Sequence, residues 1–198
     1  MMKIVRPAVV SLIAFTLLTG IIYPLAVTGI AQLIFPDQAN GSIMMKDGKP
    51  AGSALIGQPF DDPKYFWGRL SATAPFPYNS ASSSGSNLAQ TNPALLDNAK
   101  ARIAALKSAD PQASAAVPAD LATASGSGLD PHISPAAAEY QIRRVSNLRS
   151  IDEAKIRALV AANTEGRLFG ILGEPRINIL KLNLALDELG QTEQETGK

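Results

Sequence analysis

The sequence predicts an α+β protein in which a single N-terminal transmembrane helix is followed by one mixed α/β extracytoplasmic domain. Residues 7–35 contain no charged side chain, which predicts the helix. Residues 36–189 alternate short β-prone runs with segments of helical periodicity, which predicts the mixed domain. Lys3 and Arg6 precede the apolar stretch and are expected to stay in the cytoplasm, so the domain is expected on the other side of the membrane.

The composition limits the classes of function. The chain has 198 residues, of which 46% are hydrophobic, enough for one domain with its own core. Its formal net charge is +1 and no basic block is interleaved with aromatics, which argues against nucleic-acid binding. The chain has no cysteine, which excludes disulfides and thiolate chemistry.

The apolar stretch favours a membrane-spanning helix over a cleaved signal peptide. A helix over residues 7–35 would be roughly 43 Å long, more than the ~30 Å of a hydrocarbon core. A signal peptide has an apolar region of about 7–15 residues, although Gly29-Ile-Ala weakly resembles a cleavage site. Residues 1–6 would form a cytoplasmic N-terminus. Pro24 would kink an isolated helix, but proline is tolerated in a membrane helix where neighbouring helices or side chains satisfy the backbone. Gly20 and Gly29 suit contact with a partner helix, but they are equally typical of ordinary membrane helices.

The first part of the domain is expected to contain three strands and one helix. The Asp47-Gly48 dipeptide predicts a tight hairpin turn between two short strands. Residues 65–70, YFWGRL, predict a third strand with Trp67 in the core. Asn92-Pro93 begins a helix that Asp110-Pro111 ends. The apolar positions of that helix are Leu96, Ala99, Ile103 and Leu106.

The next segments are expected to be a short strand and a helix. Residues 121–123 predict the strand. Ser134 is expected to cap a helix over residues 135–149, because a proline follows it at the first helical position. The inward positions of this helix are expected to be Ile142, Val145 and Leu148.

The last part of the chain is expected to contain two helices separated by a strand. Ser150 and Glu153 match a capping box that begins the first of these helices. Residues 167–172 predict the strand, and Asn178 caps the final helix. Residues 190–198 are expected to form a flexible tail.

Residues 70–96, here called the charge-free loop, contain no Asp, Glu, Lys or Arg. They offer hydroxyls, amides and flexible backbone without a formal charge. One interpretation is a solvated surface loop. The other is a surface whose neutral dipoles pack on another protein or face a cation path. Under the second interpretation, the candidate contact residues are Asn79, Ser84 and Asn87.

Residues 123–134, TASGSGLDPHIS, hold the single histidine of the chain and are here called the histidine loop. A phosphate-binding loop would need a glycine motif and usually a lysine, which are absent, although the helix N-terminus that follows leaves room for weak anion binding. A catalytic triad seldom forms from Ser125, Asp130 and His132 within so short a span, and the nucleophile elbow is absent. One histidine and no cysteine supply too few ligands for a metal.

A rigid structural turn is therefore the favoured interpretation of the histidine loop. Gly126 and Gly128 are expected to take unusual backbone angles, and Asp130-Pro131 is expected to set the chain direction. His132 would bond locally before the helix begins. The residues assigned to this structural loop are Ser125, Gly126, Ser127, Gly128, Asp130 and His132.

Taken together, these motifs resemble the C chain of the bacterial Kdp potassium-transporting ATPase, the KdpC family. The resemblance covers nearly the whole chain and includes GSALIGQPF, YFWGRLSAT, YNSASSSGSNL, TNPALL, DLATASGSGLDPHISP, QIRRV and GEPRINILKLNLAL. The order and number of these pieces make it more specific than any one of them. In two places the chain departs from the family. Leu70 follows Arg69 where the family usually has Arg-Pro-Ser-Ala, and Ala89-Gln90 stand where it has Gly-Pro.

The resemblance implies a non-catalytic subunit of a potassium uptake complex in the bacterial cell inner membrane. Implied partners are a potassium-translocating chain, a P-type ATPase chain and a very small helical chain. The complex handles potassium, no cofactor is expected to be tightly bound here, and ATP is implied only as a ligand shared with the ATPase chain. Gln141 fits the family's glutamine associated with nucleotide contact, or is an exposed polar residue on the helix 135–149.

Two functions remain open at this point. In the first, the chain stabilises the assembly and its outer domain caps the potassium-translocating chain. In the second, it is a catalytic chaperone that raises the ATP affinity of the ATPase chain through a ternary complex. The absence of a nucleotide motif and the expected topology favour the first, and an independent enzyme is a distant third.

Overall fold

The computed structural model describes residues 2–196 and divides the chain into two compact units, of which the first ends at Ile43 and the second begins at Met44. The first unit is almost entirely helical. It contains α1 (Met2–Leu17), a π-helical turn (Leu18–Ile22), α2 (Tyr23–Ile34) and the short α3 (Pro36–Ala39). The helix predicted over residues 7–35 is therefore confirmed as a helix.

Lys3–Ile34 form a run of 32 helical residues that is long and apolar enough to cross a membrane. Their side chains are exposed, except for the half-buried Ala31. Pro24 lacks an N–H group and its ring crowds the carbonyl of Gly20, four residues earlier. The π-helical turn occupies this place, where a wider turn relieves the crowding. We call Lys3–Ile34 the apolar helix.

A β-hairpin leads into the second unit. Strand β1 (Ile43–Lys46) and strand β2 (Lys49–Ser53) pair with each other. The turn residues Asp47 and Gly48 have φ values of 51° and 73°, the left-handed angles that such a tight turn requires. The predicted hairpin is confirmed.

Five further helices belong to the second unit. They are α4 (Pro93–Ala109), α5 (Ala119–Ala122), α6 (Pro135–Arg149), α7 (Glu153–Ala162) and α8 (Ile179–Thr196). The predicted caps of α4, α6 and α8 are confirmed, because the side chains of Asn92, Ser134 and Asn178 each accept a bond from a backbone N–H in the first turn.

The capping box predicted for α7 is wrong. Asp152 caps this helix, and its Oδ1 accepts from the N–H of Ala154 at 2.6 Å. Ser150 instead has a φ of 56° and ends α6 in a left-handed conformation. Ser150 therefore ends α6, and Asp152 begins α7.

A small antiparallel sheet joins distant parts of the second unit. It consists of β3 (His132–Ile133), β4 (Thr164–Glu165) and β5 (Arg176–Asn178) in the order β3-β5-β4. The three strands predicted over residues 65–70, 121–123 and 167–172 are wrong. The first is irregular, the second lies mostly in α5, and the third is an exposed turn. Each has β-prone residues but lacks a strand beside it.

The core of the second unit lies where α6, α7 and α8 pack on each other and on β5. Trp67 is 7% exposed, which confirms its predicted place in the core. Leu148 was predicted to point inward but is 55% exposed, and Leu96, an apolar position of α4, is 57% exposed. Helix α8 continues to Thr196, into the stretch expected to be a flexible tail, and residues 197–198 lie outside the described part of the chain.

Candidate interaction site

The charge-free loop and the histidine loop lie against each other. The hydroxyl of Ser71 donates to the carbonyl of Gly128 at 2.7 Å. The N–H of Ser84 donates to the carbonyl of Ser127 at 2.9 Å, and the hydroxyl of Ser83 donates to the same oxygen at 3.0 Å. Two polar segments, whose bonded residues are 44 and 57 positions apart in the chain, thus form one surface.

Two glycines make this close approach possible. Gly128 has a φ of 68°, and a Cβ atom there would lie 2.5 Å from the carbonyl oxygen of Ser84. A Cβ atom on Gly85 would lie 2.7 Å from the carbonyl oxygen of Gly126. Gly126 itself does not take a positive φ and has open space around it, so the prediction of unusual backbone angles is confirmed for Gly128 and wrong for Gly126. Gly85 was not identified from the sequence.

Asp130 organises the end of the histidine loop. Its carboxylate accepts from the backbone N–H of His132 at 3.0 Å and from Nη1 of Arg69 at 3.1 Å, and it lies 3.3 Å from Nδ1 of His132. Partial burial raises the pKa of Asp130, but the bonds from His132 and Arg69 outweigh it and hold the pKa below its usual value. The local bonding predicted for His132 is confirmed.

A catalytic triad is not assembled in the histidine loop. The Oγ atom of Ser125 is buried and has no hydrogen-bond partner among the described residues. His132 bonds to Asp130 and not to this hydroxyl. The triad geometry would need the Ser125 hydroxyl to donate to the imidazole, so the arrangement supports a structural role for all three residues.

The three candidate contact residues of the charge-free loop lie in different environments. Asn79 is 8% exposed, and its side chain donates to the carbonyl of Ala74 at 2.8 Å and accepts from the N–H of Ala81 at 3.1 Å. Ser84 and Asn87 are exposed. Asn79 therefore shapes the loop from within, while Ser84 and Asn87 stand on its surface.

A cleft of about 450 Å³ separates the charge-free loop from helix α4. Leucines and alanines form most of its wall, and Arg102 is the ionisable group among the lining residues. The guanidinium of Arg102 is already engaged, donating from Nη2 to the carbonyl of Gly68 at 2.8 Å and from Nε to that of Leu121 at 3.2 Å. The cleft suits an apolar side chain or a neutral segment of another molecule. The apolar lining residues include Leu70, Leu88, Leu95, Ala99, Ala105 and Ala124.

Residues 63–69, here called the aromatic segment, reach the site without pairing as a strand. Side chains from the surrounding elements donate to each of their seven consecutive carbonyls, which is how an irregular buried segment satisfies its backbone. The donors, in the order of residues 63 to 69, are Arg144, Arg149, Arg144, Asn183, Gln141, Arg102 and Tyr78.

Arginines also hold the aromatic rings of this segment. The Trp67 ring lies between two guanidinium groups, with the Cζ atoms of Arg144 and Arg102 at 4.7 and 5.0 Å from the ring centroid. Burial lowers the pKa of both arginines, to about 10 for Arg144. None of these arginines was identified from the sequence, where QIRRV served only as a family motif.

Gln141 is buried rather than exposed, so its interpretation as an exposed polar residue is wrong. It is 1% exposed, and its Oε1 accepts from the N–H of Trp67 at 2.8 Å and from Nη2 of Arg144 at 2.6 Å. Its Nε2 donates to the carbonyls of Trp67 and Ala137, both at 3.1 Å. All four hydrogen-bonding positions of the amide are used. A nucleotide could contact this amide only by displacing one of these partners.

Gly20 and Gly29 lie in the first unit, away from these contacts in sequence. A Cβ atom on either glycine would meet no heavy atom within 4 Å. They are nine residues apart, which is about 2.5 turns of α-helix, so they lie on different faces of the apolar helix even with the π-helical turn between them. Each face leaves room for a partner of its own.

Known proteins resemble this chain over almost its whole length. The model of the KdpC family, described as the c chain of the K+-transporting ATPase, matches residues 5–188. The potassium-transporting ATPase KdpC subunit of Sorangium cellulosum is 61% identical over 187 residues, which are 94% of this chain and 98% of the relative. That of Polaromonas naphthalenivorans is 62% identical over 189 residues, 96% of each chain.

A third relative agrees with these two. The KdpC subunit of Methylococcus capsulatus is 62% identical over 184 residues, which are 93% of this chain and 97% of the relative. The match to the family model begins within the apolar helix and extends into α8, to residue 188. The chain belongs to the KdpC family and is a subunit of the K+-transporting ATPase complex.

Proposed function

We propose that this subunit stabilises the assembly of a high-affinity, ATP-driven potassium uptake complex and caps its potassium-translocating chain on the extracytoplasmic side. The subunit itself takes no catalytic part in ATP hydrolysis. The observation that supports the proposal best is the surface formed by the charge-free loop, the histidine loop and the cleft beside α4. This surface is held in shape by internal bonds and leaves Ser84 and Asn87 exposed.

The neutrality of this surface fits a position near a potassium path. Hydroxyl and amide dipoles can face a permeating cation without binding it tightly, whereas a ring of carboxylates attracts and retains cations. Arg102 is the charged residue among those that line the cleft, and its guanidinium donates hydrogen bonds to backbone carbonyls. A cap of this kind would shield the entrance and still let potassium leave its surface easily.

The apolar helix would attach the subunit in the bacterial inner membrane and contribute to assembly there. With no water in the hydrocarbon, helices associate through close packing of small residues and through hydrogen bonds. Gly20 and Gly29 lie on different faces, which suits contact with two of the implied partners, the potassium-translocating chain, the P-type ATPase chain or the small helical chain. Lys3 and Arg6 would hold the N-terminus in the cytoplasm.

A second candidate function is that of a catalytic chaperone that raises the ATP affinity of the P-type ATPase chain through a ternary complex with ATP. It is supported by Gln141, which occupies the position that the family resemblance associates with nucleotide contact. Its amide is buried and fully bonded, however, and the proposed topology separates it from cytoplasmic ATP by about 30 Å of hydrocarbon. An effect on ATP affinity would then be a coupling free energy of about 1–3 kcal/mol passed through the partner chains.

Cysteine labelling in intact spheroplasts tests the topology on which both candidates depend. Because the chain has no cysteine, Ser127→Cys introduces a single thiol at an exposed position of the histidine loop. A membrane-impermeant thiol reagent is expected to label it in intact spheroplasts. The matched control, Ile4→Cys, keeps both Lys3 and Arg6 and is expected to react only after lysis. Labelling of the Ser127→Cys variant only after lysis would place the domain inside and make direct ATP contact the better proposal.

A further inference from the structure

An exposed apolar turn projects from the second unit between β4 and β5. Its residues 168–172 were predicted to form a strand, but their side chains are largely in solvent. Phe169 is 84% exposed and Ile171 is 76% exposed, and their neighbours Leu168 and Leu172 are 61% and 56% exposed. Contiguous apolar exposure of this kind marks a contact site far more often than isolated exposed leucines do. We call these five residues the apolar turn.

The apolar turn has a definite shape. The N–H groups of Leu168 and Leu172 bond to each other's carbonyls at 2.8 and 3.0 Å. Phe169 and Gly170 have φ values of 53° and 76°, which reverse the chain between them. Below the turn, Nη2 of Arg167 lies 2.8 Å from Oε2 of Glu174. The four apolar side chains are thus presented on a closed, clasped hairpin.

The backbone of the apolar turn is suited to a medium without hydrogen-bonding partners. The N–H groups of Leu168, Gly170, Ile171 and Leu172 all donate to carbonyls within residues 167–172. A segment that enters lipid must satisfy its donors internally, whereas a segment that docks on a protein can leave them to its partner. Four of the five N–H groups of the apolar turn are thus satisfied internally, which favours lipid over a protein socket as the occupant.

Paired charges surround the base of the hairpin. Beside the clasp of Arg167 and Glu174, the carboxylate of Glu165 accepts from Nε of Arg176 at 3.1 Å and from Nζ of Lys181 at 3.2 Å. Residues 168–173 contain no ionisable side chain. Apolar tips below a band of charged, long side chains are typical of protein segments at a membrane interface, where the charges remain at headgroup level.

The base of the hairpin lies near the residues with which the second unit begins. Asn163, next to the first residue of β4, lines the same cleft as Met44 and Lys181. Met44 is the first residue of the unit, and the apolar helix ends only ten positions earlier, at Ile34. A short tether of this kind keeps the hairpin at a high effective concentration near any bilayer that holds the helix.

We propose that the apolar turn inserts into the interfacial region of the bilayer that holds the apolar helix, as a second and reversible membrane contact. The proposal rests on the membrane insertion of the apolar helix. The turn is too short to span and would place its four side chains at the boundary between headgroups and acyl chains. It would restrict the orientation of the second unit on the membrane, which a single helix followed by a linker leaves free.

Fluorescence of the full chain in vesicles tests this contact directly. Ile171→Cys is labelled with an environment-sensitive dye and reconstituted in vesicles of phosphatidylethanolamine and phosphatidylglycerol, with and without nitroxide-labelled lipid. The emission is expected to shift to the blue and to be quenched by the nitroxide. Leu148→Cys, which is 55% exposed on α6, is the matched control and is expected to show neither effect. Adding Phe169→Asp to Ile171→Cys is expected to remove both effects.

A third labelled position separates this proposal from the membrane insertion of the helix. Phe15→Cys, near the middle of the apolar helix, is expected to be quenched by nitroxide lipid. Quenching at position 15 without quenching at position 171 would overturn the insertion of the turn alone, and loss of both would overturn the membrane helix as well. A blue shift at position 171 that occurs only in the assembled complex, without quenching by lipid, would assign the turn to a protein partner and overturn the proposal.

Discussion

Gly128 is a position where a single methyl group is excluded. A Cβ atom would lie 2.5 Å from the carbonyl oxygen of Ser84 and 2.6 Å from Cγ2 of Thr73, and the φ of 68° is itself unfavourable for other residues. We expect Gly128→Ala to lower the free energy of unfolding by about 1–3 kcal/mol. Gly126→Ala, two positions away in open space, is the matched control and is expected to change it by less than about 0.5 kcal/mol.

Thermal unfolding of the full chain in detergent, followed by circular dichroism, measures both variants. Equal destabilisation by the two substitutions would contradict the close approach of the charge-free loop to Gly128. A large effect of Gly126→Ala alone would contradict the backbone conformation described for the histidine loop.

Gln141 holds the aromatic segment through four hydrogen bonds, so its removal leaves buried groups unpaired. Gln141→Ala exposes the N–H and carbonyl of Trp67 to a cavity and removes an acceptor from Arg144. We expect the free energy of unfolding to fall by about 2–4 kcal/mol. Gln112→Ala, an exposed glutamine on the connector after α4, is expected to have an effect below about 0.5 kcal/mol.

The same pair of variants examines the nucleotide role of Gln141. In the assembled complex, apparent ATP affinity is measured beside the melting temperature of the subunit. If Gln141→Ala lowers ATP affinity while leaving the melting temperature unchanged, the residue contacts nucleotide and the structural role described here is wrong.

For single residues, the sequence showed which positions to examine better than it showed the surroundings of each side chain. The interpretation of the histidine loop as a structural turn stays a prediction, and the sequence could not show which of Gly126 and Gly128 takes the positive φ. That choice depends on where the charge-free loop lies, and the loop is remote in sequence. Gln141 looked like a surface residue because helical periodicity places it beside charged neighbours, and its partner Trp67 lies 74 positions away.

At the scale of elements, the apolar helix is expected to bind partners on two faces. Gly20→Leu and Gly29→Leu each add a large side chain at an open position and would block close helix packing on one face. We expect each single substitution to reduce co-purification of a different subunit with this one. Val9→Leu, an exposed position in the same helix, is the control and is expected to leave assembly intact. Undiminished assembly with both glycines replaced would show that the helix is only an anchor.

The charge-free loop offers a second test at this scale. Ser84→Asp and Asn87→Asp each place a negative charge on the exposed surface of the loop, where a cation within about 8 Å would sense it. We expect the apparent potassium affinity of the complex, or its assembly, to change. The neutral variant Ser84→Asn controls for side-chain size at position 84, and at position 87 the original asparagine already has the size of aspartate. Normal transport by both aspartate variants would show that the loop is merely solvated.

The long helices and the β-hairpin were predicted well, whereas the strands of the small sheet were not. Helices α4 and α6 have proline at the first helical position and a capping side chain before it, which are local features that a sequence displays. The strands of the small sheet have only two or three residues each, too few for a period to be recognised. The aromatic segment has the composition of a strand, but side chains from α4, α6 and α8 take the place of a neighbouring strand.

At the scale of the whole second unit, Asp187 joins four parts of the fold. Its carboxylate lies 2.5 Å from Nζ of Lys46 and 2.7 Å from Nη2 of Arg149, and it accepts from the hydroxyl of Tyr65 at 3.1 Å. Partial burial raises its pKa, but the bonds from Lys46 and Arg149 outweigh it and hold the pKa below the ordinary value of 3.8. The β-hairpin, the aromatic segment, α6 and α8 are thereby linked through one carboxylate.

This lowered pKa predicts a dependence of stability on acid. Because the folded state binds the proton of Asp187 less readily than the unfolded state, the contribution is present at neutral pH and is lost as pH falls through about 4 and below. The melting temperature of the full chain is expected to fall over this window, and Asp187→Asn is expected to reduce the fall. Asp97→Asn, an exposed carboxyl on α4, is the control. An identical pH profile for all three proteins would contradict the network.

For the whole molecule, the sequence predicted the protein family better than any other feature. The family could be named from ordered motifs over nearly the full length, and the division into one apolar helix and one mixed domain was correct. The exposed turn at residues 168–172 could not be foreseen, because alternation of leucine, phenylalanine and isoleucine predicts burial. The contacts that the arginines make with the aromatic segment could not be foreseen either, because charged side chains on a helix are usually exposed to solvent.

The bonding of the aromatic segment has a consequence for amide hydrogen exchange. The N–H groups of Phe66 and Trp67 donate to the side-chain oxygens of Asn183 on α8 and Gln141 on α6, at 2.9 and 2.8 Å. Each amide can meet solvent deuterium only when its helix moves away, so exchange there would report the opening of the helix packing rather than local fraying. The aromatic segment has no regular secondary structure, yet these two amides would be protected from exchange as the helices are. They would exchange together with the helix amides when the domain opens.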